Sequence, residues 1–227
     1  MRILSWNIQA GGGPRLSRIV EEVSAYGADL VALTEFRGGE AFQQLGLPHS
    51  ATSDGIAVFS ARPLAVTRRE ARWLEVDLPA ERFGIGVLRI PASGSSAKSP
   101  ATLAKVALWN ALVRAAEALL DQPFLLLGPW NTGAHYLDES GKTFVCTEQF
   151  ARLSELGWVD LWRHHNPGIT EWTWYSKVKG GANRNGFRLD HAFASPALAP
   201  RVTSCRYSHT ERNAGVSSHS LVIVEVE

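Results

Sequence analysis

Arg2-Ile3-Leu4-Ser5-Trp6-Asn7-Ile8 and Asp29-Leu30-Val31-Ala32-Leu33-Thr34 are two apolar runs of strand length. Asn7 stands near the end of the first, and Glu35 directly follows the second. Between them Gly11-Gly12-Gly13-Pro14 breaks the strand. Leu16, Ile19, Val20 and Val23 then recur at helical spacing until Gly27 ends the helix. A strand–helix–strand unit crosses over right-handedly. The two strands therefore lie near each other and run parallel, and Asn7 and Glu35 emerge at one edge of the sheet.

Further strand-like runs follow at residues 55–60, around 64–77 and at 82–90, and their short turns predict antiparallel pairing. Pro91 to Pro100 is a Ser/Gly/Ala-rich loop, the best flexible segment of the chain. Leu103, Val106, Leu112, Val113, Ala116 and Leu119 mark a long helix, and Phe124-Leu125-Leu126-Leu127 reads as a central strand stopped by Gly128-Pro129. Phe150, Leu153 and Leu156 line a helix closed by Gly157. Trp172-Thr173-Trp174 reads as a short strand, and residues 187–195 as another in which Arg188 and Asp190 share a face. After a strand at about 201–207, the run Val216 to Val224 ends the fold with His219 at its mouth. Many strands interleaved with three helices predict an α/β sandwich of four layers: two stacked, mostly antiparallel sheets flanked by helices. No linker divides the 227 residues, so a single domain over 1–227 is expected.

Hydrophobic residues make up 45% and charged residues 20%, as in a globular protein. Lys plus Arg (23) against Asp plus Glu (22) leaves a net charge of +1, without the basic excess of a nonspecific nucleic-acid binder. No apolar span has the length of a signal h-region or membrane helix, so a cytoplasmic location is the default. Cys146 and Cys205 form no paired metal motif and are expected as buried thiols. Lys177, Lys179, Arg184 and Arg188 fall in an acid-free stretch, 176–189, that suits either an anion-binding loop or a solvated one. His135, Asp138 and Glu139 are read chiefly as a surface loop near Asn131.

Six segments, taken in order, resemble the endonuclease/exonuclease/phosphatase superfamily. They are Ser5-Trp6-Asn7, Leu33-Thr34-Glu35, Gly55 to Pro63, Leu127-Gly128-Pro129-Trp130-Asn131, Gly186-Phe187-Arg188-Leu189-Asp190-His191 and Ser217-Ser218-His219. The resemblance implies a phosphate-directed site in which Mg²⁺ or Mn²⁺ is held by Glu35, assisted by Asn7. It makes His219 the general base or phosphate contact, Asp190 its orienting partner, and Asn131 a contact to a substrate oxygen. Arg188, Trp130 and Arg89 are its further candidate substrate contacts, Arg89 standing where relatives place a His or Tyr. Asn7 and Asn131 also suit turn capping, and Trp130 suits core packing.

The chain departs from the pattern twice. Pro129 replaces the Asp of Gly-Asp-X-Asn, and Ser218 the Asp of Ser-Asp-His. Three functions fit: a divergent metal-dependent phosphoesterase, a metal-independent acid–base enzyme on a small molecule in the same pocket, and a noncatalytic anion-binding module. A small anionic substrate is expected ahead of nucleic acid, and no membrane.

Overall fold

The computed structural model describes residues 1–94, 96–178 and 183–227, the side chain of Asn183 excepted. Strand β1 (Arg2–Asn7), helix α1 (Leu16–Ala25) and strand β2 (Leu30–Thr34) form the expected parallel unit, with Asn7 opposite Thr34. Strands β3 (His49–Ser53) and β4 (Ile56–Ser60) extend it antiparallel. Strands β5 (Ala65–Glu70), β6 (Trp73–Leu78) and β7 (Phe83–Leu88) form an antiparallel meander. Helix α2 (Pro100–Ala118), whose N-cap Ser99 accepts from the Thr102 N–H, crosses to strand β8 (Phe124–Pro129), parallel to β7.

Helix α3 (Thr147–Glu155), strand β9 (Val159–Asp160) and the short helix α4 (Leu161–His165) follow. Strands β10 (Trp174–Lys177) and β11 (Asn183–Phe187) pair as a separate ribbon. Strand β12 (Asp190–Ala194) joins β8, and β13 (Val202–Ser208), helix α5 (Thr210–Asn213) and β14 (Leu221–Val226) complete the chain. One six-stranded sheet runs β13-β14-β1-β2-β4-β3 and the other β5-β6-β7-β8-β12-β9.

Alternation along the strands builds the layers. Ile3, Leu30 and Ala32 face between the sheets and meet Leu74, Ile85, Leu125 and Leu127 there. Their neighbours Leu4, Val31 and Leu33 face outward onto Ile19, Val20 and Val23 of α1. On the opposite side Leu126 and Phe193 pack under Trp109 and Leu112 of α2 and Phe150 and Leu153 of α3. Helix, sheet, sheet and helix therefore stack in the expected order. No described helix is long and apolar enough to cross a membrane. Both cysteines are free, Cys205 buried and Cys146 half-buried.

Three local expectations are corrected. The buried stripe of α2 is Thr102, Lys105, Trp109, Leu112 and Ala116, while Leu103 is 56% exposed. These positions recur at three- and four-residue spacing, but a lysine in the series hid them. Residues 187–195 do not form one strand, because β11 pairs with β10 and β12 with β8, leaving Arg188 and Leu189 between. The central strand runs on to Pro129 because Gly128 (φ +133°) has no side chain, and a Cβ there would lie 2.1 Å from the Leu88 carbonyl oxygen.

Candidate functional site

His219 and Asp190, 29 residues apart, meet between the ends of β12 and β14, with Nδ1 2.9 Å from Oδ2 and 3.0 Å from Oδ1. An ionised carboxylate only accepts, so Nδ1 carries a proton in either charge state of the ring, and in the neutral form Nε2 is left as a base. The surroundings hold both residues still. The Trp6 indole N–H donates to the His219 carbonyl at 3.0 Å. Ser217 donates to the Asn7 carbonyl at 2.6 Å and accepts from the His219 N–H at 3.2 Å, tying the turn to β1. Thr173 Oγ1 accepts from the N–H groups of Leu189 and Asp190, and the Tyr207 hydroxyl donates to the Asp190 carbonyl at 2.8 Å. Neither Thr173 nor Tyr207 belongs to a recognisable motif, so the sequence carried no signal for them.

Glu35 leaves β2 in the left-handed region (φ +57°), which turns its carboxylate toward β1. Oε1 accepts from the Asn7 amide at 3.1 Å and Oε2 from the Ala10 N–H at 2.7 Å. Burial works to raise its pKa, but these two donors and the positive charges of His219 and Arg89 outweigh it, holding the carboxyl below its ordinary value. Asn7 in turn accepts from the Gln9 N–H at 2.9 Å. Its contacts thus position Glu35.

Asn7, Glu35, Asn131 and His219 line one cleft of about 490 Å³. Asn131 also sits at positive φ (+50°), and its side chain donates to the Ile90 carbonyl at 2.8 Å. Arg89 lines the cleft, with Asp54 3.8 Å away. One wall is apolar, made by Phe144, Trp174, Phe187 and Leu189. Arg72, Arg89 and Lys105 line the cleft against the single lining carboxylate of Glu35, so its wall carries more basic than acidic side chains although the whole chain is nearly neutral.

Lys105 is the residue the sequence concealed. It is 1% exposed, and its ammonium donates to the Asn131 carbonyl inside the cleft. Burial lowers its pKa to about 8, against a smaller opposing effect of Cys146. The recoverable signal was a lysine at helical spacing from Trp109, Leu112 and Ala116. Between about pH 8 and the ordinary 10.5 the native state binds fewer protons than the unfolded chain, so stability rises with pH through that window. Lys105→Met is expected to gain about 2 kcal/mol at pH 7 and less by pH 10. Urea unfolding at both pH values checks it; equal destabilisation at both would contradict the burial cost.

Arg188 is not a cleft residue. It is 1% exposed and bonded to other carboxylates, with Nε 2.6 Å from Asp138 Oδ1 and Nη1 3.0 Å from Asp160 Oδ1. The buried carboxylate of Asp138 and the half-buried one of Asp160 hold its charge inside the protein. Trp130 is fully buried too, stacked 5.3 Å from the His191 ring and 5.2 Å from Phe193. It is core, since Pro129 and Asn131 alone of that stretch reach the cleft. Asp138 and Glu139 are buried rather than on a surface loop, Asp138 pairing with Arg188 and Arg163, and Glu139 accepting from Thr143, Phe144 and His135. Arg184 is exposed, and Lys179 lies outside the described residues. Ser218 lines a neighbouring hollow with Lys177 and Arg212.

Among the described residues, no three His, Cys, Asp or Glu side chains gather to hold a metal. Glu35 and the Asn7 amide oxygen are the donors in the cleft, and each Glu35 oxygen keeps a lone pair beyond the bond it accepts. Mg²⁺ is commonly held through one or two carboxylates, with water and substrate phosphate completing its shell. Glu35 and Asn7 fit that minimal arrangement.

No curated protein matches the chain in sequence. Among solved structures, the 3′ phosphatase NExo from Neisseria bound to product DNA hairpin superposes with a TM-score of 0.83 at 20% identity, covering 100% of this chain and 99% of that one. An AP endonuclease from Archaeoglobus fulgidus gives the same four values. The 3′-5′ exonuclease NExo from Neisseria Meningitidis gives 0.81 at 20% identity, with both chains covered completely. These are likenesses of fold. The sequence model of the Endonuclease/Exonuclease/phosphatase family matches residues 4–219, from the first strand to His219 itself, and the chain belongs to that family.

Proposed function

We propose that the chain is a phosphoesterase acting on a small phosphate-bearing molecule, with His219 moving protons and Asp190 orienting it. The supporting observation is the 2.9 Å contact of His219 Nδ1 with Asp190 in a cleft shared with Glu35, Arg89 and Lys105. Arg89 and Lys105 meet the charge of the bound phosphate, where fixed cations in a partly dry site stabilise charge developing in the transition state. A water gives its proton to His219 Nε2 as its oxygen bonds to phosphorus. The ester P–O bond breaks, and the leaving oxygen takes a proton from solvent. Pro129 has no proton to offer, so aryl esters turn over faster than alkyl esters. Glu35 and Asn7 would hold Mg²⁺ or Mn²⁺, which when bound supplies Lewis-acid stabilisation of the phosphoryl oxygens.

The cleft volume of about 490 Å³ suits a small ligand. A second reading, a nucleic-acid 3′ end, is favoured by the named relatives, one of them a 3′ phosphatase bound to a DNA hairpin. The test is hydrolysis of aryl phosphomonoesters and diesters, with and without millimolar Mg²⁺, in wild type and Glu35→Gln. Wild type is expected to turn over slowly and to respond to Mg²⁺, and Glu35→Gln to lose that response. Absence of hydrolysis under every condition, on aryl esters and on a 3′-phosphorylated oligonucleotide, overturns the enzyme reading.

A further inference from the structure

His209, between β13 and α5, joins two other segments of the chain. Its Nε2 lies 2.7 Å from Glu171 Oε1 and its Nδ1 2.7 Å from Ser220 Oγ. Ser220 Oγ is also 3.2 Å from the Thr173 carbonyl oxygen, which accepts the Ser220 N–H at 2.9 Å. Thr173 follows Glu171 by two residues, so the contacts close into a ring. The second Glu171 oxygen accepts from the Trp162 indole at 2.9 Å and fixes that end. Ser, His and Glu in this order are the parts of an activated nucleophile. Ser220, however, is 0% exposed and reaches no substrate.

The protons can be followed around the ring. An ionised carboxylate only accepts, so His209 Nε2 donates to Glu171. In the neutral imidazole Nδ1 is bare and accepts the Ser220 hydroxyl. In the charged one Nδ1 donates to Ser220 Oγ, and the hydroxyl turns to the Thr173 carbonyl. His209 therefore bonds both partners in either state. What the ring holds is the pair in the cleft. Ser220 directly follows His219, and the Thr173 hydroxyl oxygen accepts from the N–H groups of Leu189 at 2.9 Å and Asp190 at 3.2 Å. One buried serine is thus the chain neighbour of one member of the pair and, through Thr173, a support of the other. Glu171, Thr173, His209 and Ser220 do not line the cleft, so they act on a substrate only through His219 and Asp190.

We propose that His209 is a positioning residue for the His219–Asp190 pair, acting through Ser220 and Thr173. This rests on the phosphoesterase reading of the cleft and adds a residue on which its reaction depends. Without the imidazole the ring opens, and the segment carrying Thr173 is no longer tied through Glu171 to Ser220. The contacts of 2.9 and 3.0 Å between His219 Nδ1 and Asp190 then loosen, and the ring proton of His219 divides between its two nitrogens.

The test compares full-length wild type with His209→Ala, Ser220→Ala, the double variant and His209→Gln. Aryl phosphate hydrolysis gives kcat and KM, and long-range ¹H–¹⁵N spectra of ¹⁵N-histidine-labelled protein give the protonation of each His219 ring nitrogen. Each Ala variant is expected to lower kcat about tenfold at unchanged KM, within the ~10²-fold that a misplacement of ~1 Å can cost. The double variant should lose no more than either single one, because the two residues act as a unit. His209→Gln, whose amide can donate to Glu171 and accept from Ser220, should restore most of the rate. In the Ala variants the His219 signals should move from the Nδ1–H tautomer of wild type toward a mixture. Wild-type His219 signals in His209→Ala and Ser220→Ala overturn the positioning role, whatever happens to Tm, and leave the phosphoesterase reading standing. So does a change in KM alone. If wild type hydrolyses no ester, the reading of the cleft falls, and the His219 spectra alone decide whether His209 positions the ring.

Discussion

His219→Ala is expected to lower phosphoester turnover by ~10²–10⁴-fold, the usual contribution of a positioned acid–base group. The ring has the geometry of a proton carrier: Nδ1 is committed to Asp190 at 2.9 Å, the main chain is fixed by Trp6 and Ser217, and the side chain opens on the cleft. Asp190→Asn separates orientation from charge. An amide can offer its N–H to Nδ1, which would move the ring proton to Nε2 and abolish its capacity as a base. The Asn variant should therefore lose rate nearly as severely as His219→Ala while retaining phosphate affinity. A pH–rate profile checks the assignment, since the limb belonging to the imidazole disappears in His219→Ala. Unchanged turnover in that variant would remove the proposed role.

The largest expected effect on stability belongs to a residue with no part in the chemistry. Arg188→Met removes the guanidinium bonded to Asp138 and Asp160 and leaves both carboxylates short of a partner. Breaking a buried ion pair from one side costs about 3–5 kcal/mol. For a chain of this length that lowers Tm by about 10 °C. Arg163 remains 2.6 Å from Asp138 and moderates the loss. The pH dependence has a definite sign. Burial pushes the Asp138 pKa up, but Arg188, His191 and the Ala134 N–H outweigh it and hold it below its ordinary value. A carboxyl so depressed contributes stability above its unfolded pKa and loses it as pH falls through the folded one. The gap between variant and wild type is thus widest near neutrality and narrows in acid, where Asp138 of the variant takes up a proton. Urea unfolding at pH 7 and pH 4 measures it. An unchanged Tm with lost phosphate affinity would return Arg188 to the substrate.

The contrast between these two residues shows where sequence reasoning reaches. His219, Glu35 and Asn131 each stand next to an apolar run that makes a strand, and a strand end aims its polar neighbour by backbone geometry alone. Parallel pairing of β1 with β2 then brings Asn7 and Glu35 together through a connection rule that needs no side-chain detail. Lys105 escaped because an apolar-stripe count discards lysine, although the helix buries it as firmly as Trp109. Trp130 was misplaced for a related reason: standing between two cleft residues does not say which face a ring takes once the strand has ended.

What the amino-acid order determined by itself was the set of layers and the polar residues at their rim, because periodicity and chain connection act over a few residues and survive any packing detail. Which charge meets which was decided only in three dimensions. Arg188 is two residues from Asp190, yet it bonds Asp138, fifty residues away, since partners inside a dry core are chosen by the surfaces that folding presses together.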